Sequence, residues 1–536
     1  MPKEIELPQI PEQEQTPLVR DLVGIIEQLA EKVRQQEELI GQLKDEIAVL
    51  KGEKKRPKFK SSGMDKKTET KDQGSDPPNK RKRPGSAKRH KTQQLTIHED
   101  NKISPEHVPE GSRFKGYQDW VVQELLIGTH NTRYRLERWL SPEGEELIGQ
   151  LPDALKGQHF GPMLRGYILY QYHHAHVTRP VLQEQLQEWG IDISSGQIER
   201  ILNQAHESFH AEKQAILAAG LEVSSAVTVD DTSARHQGRN GYTTQIGSAY
   251  FAWFESTGHK DRINFLKLLN PGPCRYVIND QARAYMREQK LPNGPWRRLR
   301  NAPVKTWADA EQWQESLEAW GITKARHQRI ATEGALLAGL LQNGVPEQLA
   351  IVSDDAGQFN ILNHGLCWVH AERLVHKLIP LNEQHREDQA AIRKRIWDLY
   401  AELKQYKLAP DDGWKSQLEA RFDTLFTTKT RFETLNQMLK RLHRNKSELL
   451  LVLERPEVPL HTNASEQDIR DYVKKRKISG GTRSDLGRRC RDTFATCKKT
   501  CRKLGVSFWE YLIDRLSGTR QVSPLPSLIR QMAAAK

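Results

Sequence analysis

Long apolar runs and signal-like patterns are missing from this sequence. No apolar run approaches the roughly 20 residues that a helix needs to cross a bilayer. The amino terminus, MPKEIELPQIPEQEQ, lacks the basic segment followed by an apolar one that marks a secretory signal. Cysteine is also scarce, because the 536 residues include five, an odd number that does not suit a disulfide framework. These absences predict a soluble cytoplasmic protein in a reducing compartment, with no membrane span.

Acidic residues are outnumbered, since 69 Asp and Glu face 82 Lys and Arg for a formal net charge of +13. Most of the excess lies in residues 51–91, which contain sixteen Lys and Arg against five Asp and Glu. Large apolar residues are almost absent there, so the segment cannot bury enough surface to fold. We therefore predict a basic disordered linker over residues 53–93. The charge favours a polyanionic partner, either nucleic acid or an anionic membrane surface.

A heptad pattern precedes the linker. β-Branched residues recur every seven positions, and leucines occupy the interleaved positions with Gln36 as one polar break: Ile26, Val33, Ile40 and Ile47, with Leu22, Leu29, Leu43 and Leu50. This combination favours a parallel two-stranded coiled coil. It predicts a dimerisation segment over residues 1–52, with a single amphipathic helix docked on the body as the alternative.

Two smaller units are predicted next. Short alternating stretches separated by turn residues indicate a β-rich unit over residues 94–155. Over residues 156–220 the pattern is helical, and RPVLQEQLQEWGIDISSGQIERILNQA reads as a helix, a turn at Gly190 and a second helix. This spacing is typical of a helix-turn-helix, whose second helix would present Gln197 and Arg200 to DNA. An ordinary helical hairpin fits the same spacing.

The remainder predicts an α/β fold. Three stretches, VSSAVTVD, YTTQIGSAYFAWFES and RINFLKLL, predict an antiparallel meander over residues 223–269. A further buried strand is predicted in PEQLAIVSDDAGQF. Helical patterns fill residues 281–345 and 381–455, and another helical region begins near Glu466, with a break at SGG.

Carboxylates follow two of these strands. Asp230 comes after AVTV, and Asp354 comes after LAIVS. Glu466, chosen over Asp468, lies in the opening turn of a later helix and is the third candidate. Fixed carboxylates of this kind suit Mg²⁺, which prefers oxygen ligands. The alternative is structural, because acidic residues also form turns and stabilise helix amino termini.

At these positions the sequence resembles the DDE transposases of bacterial insertion sequences, of the insertion-sequence sixty-six type. The resemblance covers roughly residues 95–516. The matching residues are Asp230, Asp231 and Thr232; Asp354 in SDDAGQF; Cys367, His370 and Arg373 in CWVHAERL; and Asn463 with Glu466. The family has Glu where this chain has Asp231, and the second site also reads Asp-Asp, so Asp231 and Asp355 compete for the ligand role. The cysteine-based zinc motif of many relatives is absent here.

The resemblance implies an RNase H-like core over residues 221–480 with helical insertions near 281–345 and 381–455, followed by a C-terminal helical region over residues 481–536. It further implies that Asp230, Asp354 and Glu466 hold two Mg²⁺ ions, with Mn²⁺ as a substitute, to cut the ends of the element and join them to target DNA. The partners would be element-end and target DNA, a second copy of the chain in a homodimer or higher oligomer, and, as an open question, accessory proteins of the element. Such a protein would lie in the bacterial cytoplasm, on the nucleoid when bound to DNA.

A run of basic residues follows Glu466 in the sequence. Since phosphate contacts supply most nonspecific DNA affinity, these residues are predicted to contact DNA. The predicted contacts in this run are Lys475, Lys477, Arg483 and Arg488, and Asn463, just before Glu466, is a further predicted DNA contact. The competing hypothesis for the whole chain is a noncatalytic dimeric DNA-binding regulator with a zipper and a helix-turn-helix.

Overall fold

The computed structural model describes residues 96–118, 120–302 and 305–535, so the predicted coiled coil and the predicted basic linker lie outside the described residues. The chain divides into two units, residues 1–123 and 124–536. In the first unit, the described residues form turns and extended segments and are exposed. Among the described residues, no helix is long and apolar enough to cross a membrane.

The second unit begins with a small hairpin and four helices. Strands β1 (Arg138–Leu140) and β2 (Glu146–Ile148) pair antiparallel and are exposed on both faces. Among the described residues, these two strands are the ones found in the predicted β-rich unit over residues 94–155. The helices are α1 (Pro162–His173), α2 (Arg179–Glu188), α3 (Ser195–Asn203) and α4 (Glu207–Val223). A turn through Gly190, at φ 76°, joins α2 to α3.

A mixed five-stranded sheet forms the centre of the second unit. Its order is β5 (Ala252–Thr257), β4 (Tyr242–Gly247), β3 (Ala226–Ser233), β8 (Ala350–Ser353) and β9 (Asn363–Leu366). The pairs β5–β4 and β4–β3 are antiparallel, whereas β3–β8 and β8–β9 are parallel. The α/β prediction is confirmed at this level.

The meander differs from its prediction in two ways. YTTQIGSAYFAWFES forms two strands, β4 and β5, because the chain turns at residues 248–251. RINFLKLL is wrongly predicted as a strand, since it forms helix α5 (Arg262–Leu269). The side chain of Asp261 caps this helix by accepting from the backbone N of Asn264 at 2.9 Å. Its buried residues follow helical spacing, which a short apolar run does not reveal; they are Phe265, Leu266, Leu268 and Leu269.

Helices fill the segment between β5 and β8. They pack into the same hydrophobic core as the sheet and helices α1 to α4. After α5 come β6 (Tyr276–Val277), α6 (Asp280–Glu288), α7 (Asn293–Arg300), β7 (Thr306–Trp307), α8 (Ala310–Ala319) and α9 (Ala325–Gln342). Strands β6 and β7 pair antiparallel, and α9 packs against α5 and α6.

A second hydrophobic core lies beyond β9. It is built from α10 (Trp368–His376), α11 (Glu383–Tyr406), α12 (Asp412–Phe426) and α13 (Glu433–Arg444), followed by the short helices α14 (Lys446–Leu449) and α15 (Leu451–Glu454). Trp368 is buried in this core and its indole donates to the carbonyl of Leu449 at 2.8 Å.

The chain ends in four helices, α16 (Asn463–Ser479), α17 (Asp485–Lys503), α18 (Phe508–Ser517) and α19 (Leu525–Ala534). Helix α16 packs on β3 and β4, and α17 packs on β5. Cys490, Cys497 and Cys501 are buried along one face of α17. The glycine break predicted at SGG separates α16 from α17.

Candidate functional site

The two predicted strand-tip aspartates lie at neighbouring positions of the sheet. In the parallel pair β3–β8, Thr228 is the partner of Val352. Asp230 and Asp354 each stand two residues further along, where the parallel ladder between the two strands ends. Asp354 directly follows β8, but β3 continues to Ser233 along β4, so the prediction that Asp230 ends its strand is wrong. Parallel strands are about 4.8 Å apart, so this register brings the two carboxylates to one edge of the sheet.

Their electrostatics agree with this placement. Burial raises the pKa of Asp230 to about 7, and the negative charge of Asp354 adds to the rise. The backbone N of Asp231 donates to Asp230 Oδ1 at 2.8 Å, which opposes the shift. Two carboxylates this close repel each other, and a divalent cation between them would relieve the repulsion.

The adjacent aspartates are already bound to other side chains. Asp231 Oδ2 accepts from Gln358 Nε2 at 2.8 Å, and Lys260 Nζ lies 3.7 Å from its other oxygen. Asp355 forms an ion pair with Arg441 and accepts from Asn445 Nδ2 at 3.3 Å. Each neighbour is therefore tied to a polar or basic partner.

By contrast, Asp354 contacts a neutral group, since its Oδ1 accepts from the backbone N of Ala356 at 3.2 Å. Asp230 also accepts from a neutral group, the backbone N of Asp231. A carboxylate without a cationic partner is better placed to bind a metal ion. The geometry thus favours Asp230 and Asp354 over their neighbours.

Glu466 lies in the first turn of α16, with its side chain largely buried. Arg373 Nη1 donates to Glu466 Oε1 at 2.9 Å, and Arg470 Nη2 donates to Oε2 at 3.1 Å. His370 Nε2 is 3.4 Å from Oε1. Asp468, two residues along the helix, is turned toward α17, where Lys503 Nζ lies 3.1 Å from its Oδ2. Asp468 is therefore a structural ion-pair residue, in agreement with the choice of Glu466.

The CWVHAERL segment links the three acidic residues. The backbone N of Cys367 donates to the carbonyl of Ser353 at the end of β8 (2.9 Å), and its Sγ accepts from the backbone N of Thr462 (3.4 Å), which precedes α16. His370, one turn along α10, contacts Glu466 and lowers the pKa of Asp230 through its charge. Burial alone would raise the pKa of Cys367, but the hydrogen bond and charge of His370 hold it below the ordinary value.

The donor set fits a hard divalent cation, since strand-tip carboxylate oxygens are ligands that Mg²⁺ prefers. Within the described ranges, however, no three His, Cys, Asp or Glu side chains converge as a ready-made metal group. One reason is that Glu466 is held by Arg373 and Arg470. Asp230 and Asp354 are the residues that would hold a first ion, and Glu466 would join them by exchanging an arginine contact for the metal.

A network of side chains that sequence analysis missed holds the loop after β8. Arg262 Nη2 donates to the carbonyl of Gly357 at 2.6 Å. Its Nη1 donates to the hydroxyl of Tyr285 at 3.1 Å, and that hydroxyl donates to the buried Glu333 at 2.7 Å. Gln358, next to Gly357, holds Asp231. These contacts join residues dozens of positions apart, so no local pattern reveals them.

The predicted helix-turn-helix residues lie on α3. Gln197 is engaged in capping this helix, because its Oε1 accepts from the backbone N of Ser194 at 2.8 Å while its own N donates to Ser194 Oγ at 3.2 Å. Arg200 is exposed one turn further along. Of this pair, Arg200 has the more accessible side chain.

The predicted DNA contacts on either side of Glu466 differ in how far their side chains are exposed. Lys477 and Arg483 are exposed, Arg488 pairs with Asp485 at 2.9 Å, and Asn463 is the half-buried first residue of α16. The prediction for Lys475 is wrong. Its side chain is 4 % exposed, and its Nζ donates to the carbonyl of Tyr172 at 2.7 Å and lies over the ring of that tyrosine. The ammonium is therefore directed into the interior.

Comparisons with known proteins place the chain in a family. Residues 307–489 match the model of the family described as "Transposase IS66 family". The chain is also 43% identical over 321 residues to the uncharacterized protein y4jO of Sinorhizobium fredii, an alignment that covers 59% of this chain and 100% of that protein. The chain belongs to the IS66 family of transposases. Membership supports a transposase function.

Proposed function

We propose that this chain is a DDE transposase that cuts the DNA ends of its insertion sequence and joins them to target DNA. The observation that carries the proposal is the register of β3 and β8, which sets Asp230 and Asp354 side by side at one sheet edge while Asp231 and Asp355 are bound elsewhere. Glu466 is the third acidic residue. The strand order, three antiparallel strands followed by two parallel ones, is consistent with an RNase H-like core.

The three carboxylates would hold two Mg²⁺ ions, for which Mn²⁺ could substitute. When bound, two such ions activate the attacking oxygen and stabilise the oxygen that leaves the phosphorus. In the first step water attacks the phosphodiester at the element end and frees a 3′ hydroxyl. In the second step that hydroxyl attacks a target phosphodiester, so that one P–O bond forms as another breaks.

The chain's own residues position these acids. Arg373 orients Glu466 through its 2.9 Å hydrogen bond, and Cys367 fixes the start of α10 between β8 and α16. His370 lies between Glu466 and Asp230, where its positive form offsets their negative charge. This placement keeps the carboxylates close before DNA binds.

For DNA recognition we propose the α2–turn–α3 segment as a helix-turn-helix, with Arg200 as a contact. Arg179 of α2 pairs with Glu199 of α3 at 2.7 Å, which helps to fix the angle between the two helices. Residues 1–52 would bring two copies together at paired element ends. A homodimer would supply one set of the three carboxylates for each element end.

The test is cleavage of a labelled duplex carrying the DNA end that flanks the gene. Asp230→Asn, Asp354→Asn and Glu466→Gln should each abolish Mg²⁺-dependent cleavage while leaving end binding nearly intact, because each keeps the shape of the side chain and removes its charge. Asp231→Asn is the matched control and should be milder. Cleavage by all four variants at the wild-type rate would refute the assignment of these carboxylates, whereas end binding without any cleavage by the wild-type protein would favour the noncatalytic regulator. Thermal melting of each variant checks its folding.

A further inference from the structure

The loop between β3 and β4 is docked on the glycine break between α16 and α17. The backbone N of Gln237 donates to the carbonyl of Thr482 at 2.8 Å, and the backbone N of Thr482 donates to the carbonyl of Arg235 at 2.9 Å. His236 Nδ1 is 2.8 Å from Thr482 Oγ1. Two segments about 240 residues apart in sequence thus form one continuous surface, defined here as the docked hairpin: residues 234–241 together with residues 480–488.

Gly481 makes this docking possible. A Cβ atom at this position would lie 2.4 Å from the carbonyl oxygen of Arg235 and 3.0 Å from its carbonyl carbon. Both atoms belong to the backbone and cannot move aside cheaply. Any other residue would therefore push the hairpin away, which gives the SGG break a structural reason beyond ending α16.

The docked hairpin is basic and exposed. Arg235 and Arg239 are exposed on the hairpin side, and Arg483 is exposed on the other. Arg476 joins them to β3, since its Nη1 donates to the hydroxyls of Thr232 and Ser233 at 3.2 and 3.1 Å. The acidic residue of this surface, Asp485, is shared between His236 at 3.2 Å and Arg488 at 2.9 Å. Cations are thus in clear excess.

This surface continues directly from the strand that carries Asp230. A strand rises about 3.3 Å per residue, so Arg235 lies up to roughly 16 Å beyond Asp230. Successive nucleotides of one DNA strand rise about 3.4 Å along the helix axis. For a DNA strand that runs along β3, the hairpin arginines are therefore up to about five nucleotides from a phosphate bound at the carboxylates.

We propose that the docked hairpin binds the backbone of duplex DNA, with Arg235 and Arg239 contacting phosphates about five nucleotides from the bond that is cut. The inference rests on the proposed function for the position of the cut. It assigns a DNA contact to the β3–β4 loop, and it requires that loop and the α16–α17 break to act as one surface. Arginine suits this role because its guanidinium binds phosphate oxygens with two parallel hydrogen bonds.

The test is the salt dependence of binding to a duplex carrying the element end, measured without divalent ions so that cleavage plays no part. Each lost phosphate contact reduces the log–log slope by about 0.9. The double variant Arg235→Gln, Arg239→Gln should therefore flatten the slope by about 1.8. Between about 50 mM and about 200 mM salt, its loss of affinity should then be about 12-fold smaller than that of the wild-type protein. A slope equal to the wild type would overturn the proposal.

A matched control removes the same charge elsewhere. Arg386 and Arg421 are exposed on α11 and α12 and are paired with Glu383 at 3.0 Å and Glu402 at 2.7 Å. Their double Gln variant should keep the wild-type slope. If it flattens the slope as much as the hairpin variant does, net charge alone is responsible and the docked hairpin is not a specific contact.

A second measurement locates the contact. Ethylation of single phosphates should interfere with wild-type binding about five nucleotides from the cut, and the hairpin variant should lose that interference. Interference retained at those phosphates would also contradict the proposal. The salt slope does not depend on cleavage. A wild-type protein that fails to cleave, but whose slope is flattened in the hairpin variant, would therefore refute the catalytic proposal and leave the hairpin contact standing.

Discussion

Arg262 should control the order of the loop that follows Asp354. Its guanidinium holds the carbonyl of Gly357 at 2.6 Å and the hydroxyl of Tyr285 at 3.1 Å, and it lies 3.7 Å from the buried Glu333. Arg262→Gln removes the charge and shortens the side chain, so the hydrogen bond to Gly357 is lost. The loop then keeps the packing of Phe359 on Phe265, whose ring centroids are 4.9 Å apart.

The size of the effect follows from the type of bond. A hydrogen bond to a charged group contributes about 1.5 to 3 kcal/mol. The Arg262 side chain is about one-fifth exposed, so water recovers a part of this and about 2 kcal/mol is a reasonable expectation. Since about 1.4 kcal/mol corresponds to a factor of ten, the loop should open about 30 times more often.

Hydrogen exchange measures this opening without any reaction. The backbone N of Phe359 donates to the carbonyl of Ala356 at 3.1 Å, so its amide reports on the loop. Its exchange should become about 30-fold faster in Arg262→Gln, and cleavage should need more Mg²⁺. Arg329→Gln is the matched control, because Arg329 lies 3.8 Å from the same Glu333 and does not touch the loop. Unchanged exchange at Phe359 in Arg262→Gln would refute the reasoning.

Three further predictions concern other parts of the chain. Lys475→Met should leave the salt slope of DNA binding unchanged, because the ammonium is buried against Tyr172; a flatter slope would restore its predicted DNA contact. Burial raises the pKa of Asp492, so its contribution to stability is full at acidic pH and is lost as the pH rises past the ordinary range of a carboxyl group. Asp492→Asn should make the free energy of unfolding less dependent on pH over that range, as measured by denaturant unfolding at acidic and neutral pH, and an unchanged pH dependence would contradict this. Ile40→Lys should weaken the predicted coiled coil, and an unchanged sedimentation mass of the peptide would disprove the heptad assignment.

Sequence analysis could place the strand-tip acids because local patterns carry that information. A buried apolar run before Asp230 or Asp354 predicts a strand. The strand ends before the aspartate only at Asp354, because β3 continues to Ser233 through its pairing with β4. The preference for Glu466 over Asp468 comes from the opening turn of a predicted helix and agrees with the resemblance, and the ion pair of Asp468 with Lys503 adds a physical reason. The coiled coil, the linker and the roles of the site residues stay predictions.

Other features depend on contacts that sequence patterns do not contain. Lys475 lies in a basic run and is buried because α16 presents one of its faces to α1, which the run itself does not show. Strand β9, Asn363–Leu366, lacks β-branched residues and is formed by its pairing with β8. The partners of Asp231 and Asp355 also come from distant segments, so the preference between neighbouring aspartates needed the fold.

The central claim is that Asp230, Asp354 and Glu466 hold divalent ions at one place. Its most direct test is to load the protein with Fe²⁺ in place of Mg²⁺, generate hydroxyl radicals at the bound iron and map the backbone cuts by mass spectrometry. The account predicts cuts close to residues 230, 354 and 466, suppressed by excess Mg²⁺ and lost in the Asp230→Asn, Asp354→Asn double variant. Cuts elsewhere, or cuts at these three positions that survive in the double variant, would contradict it.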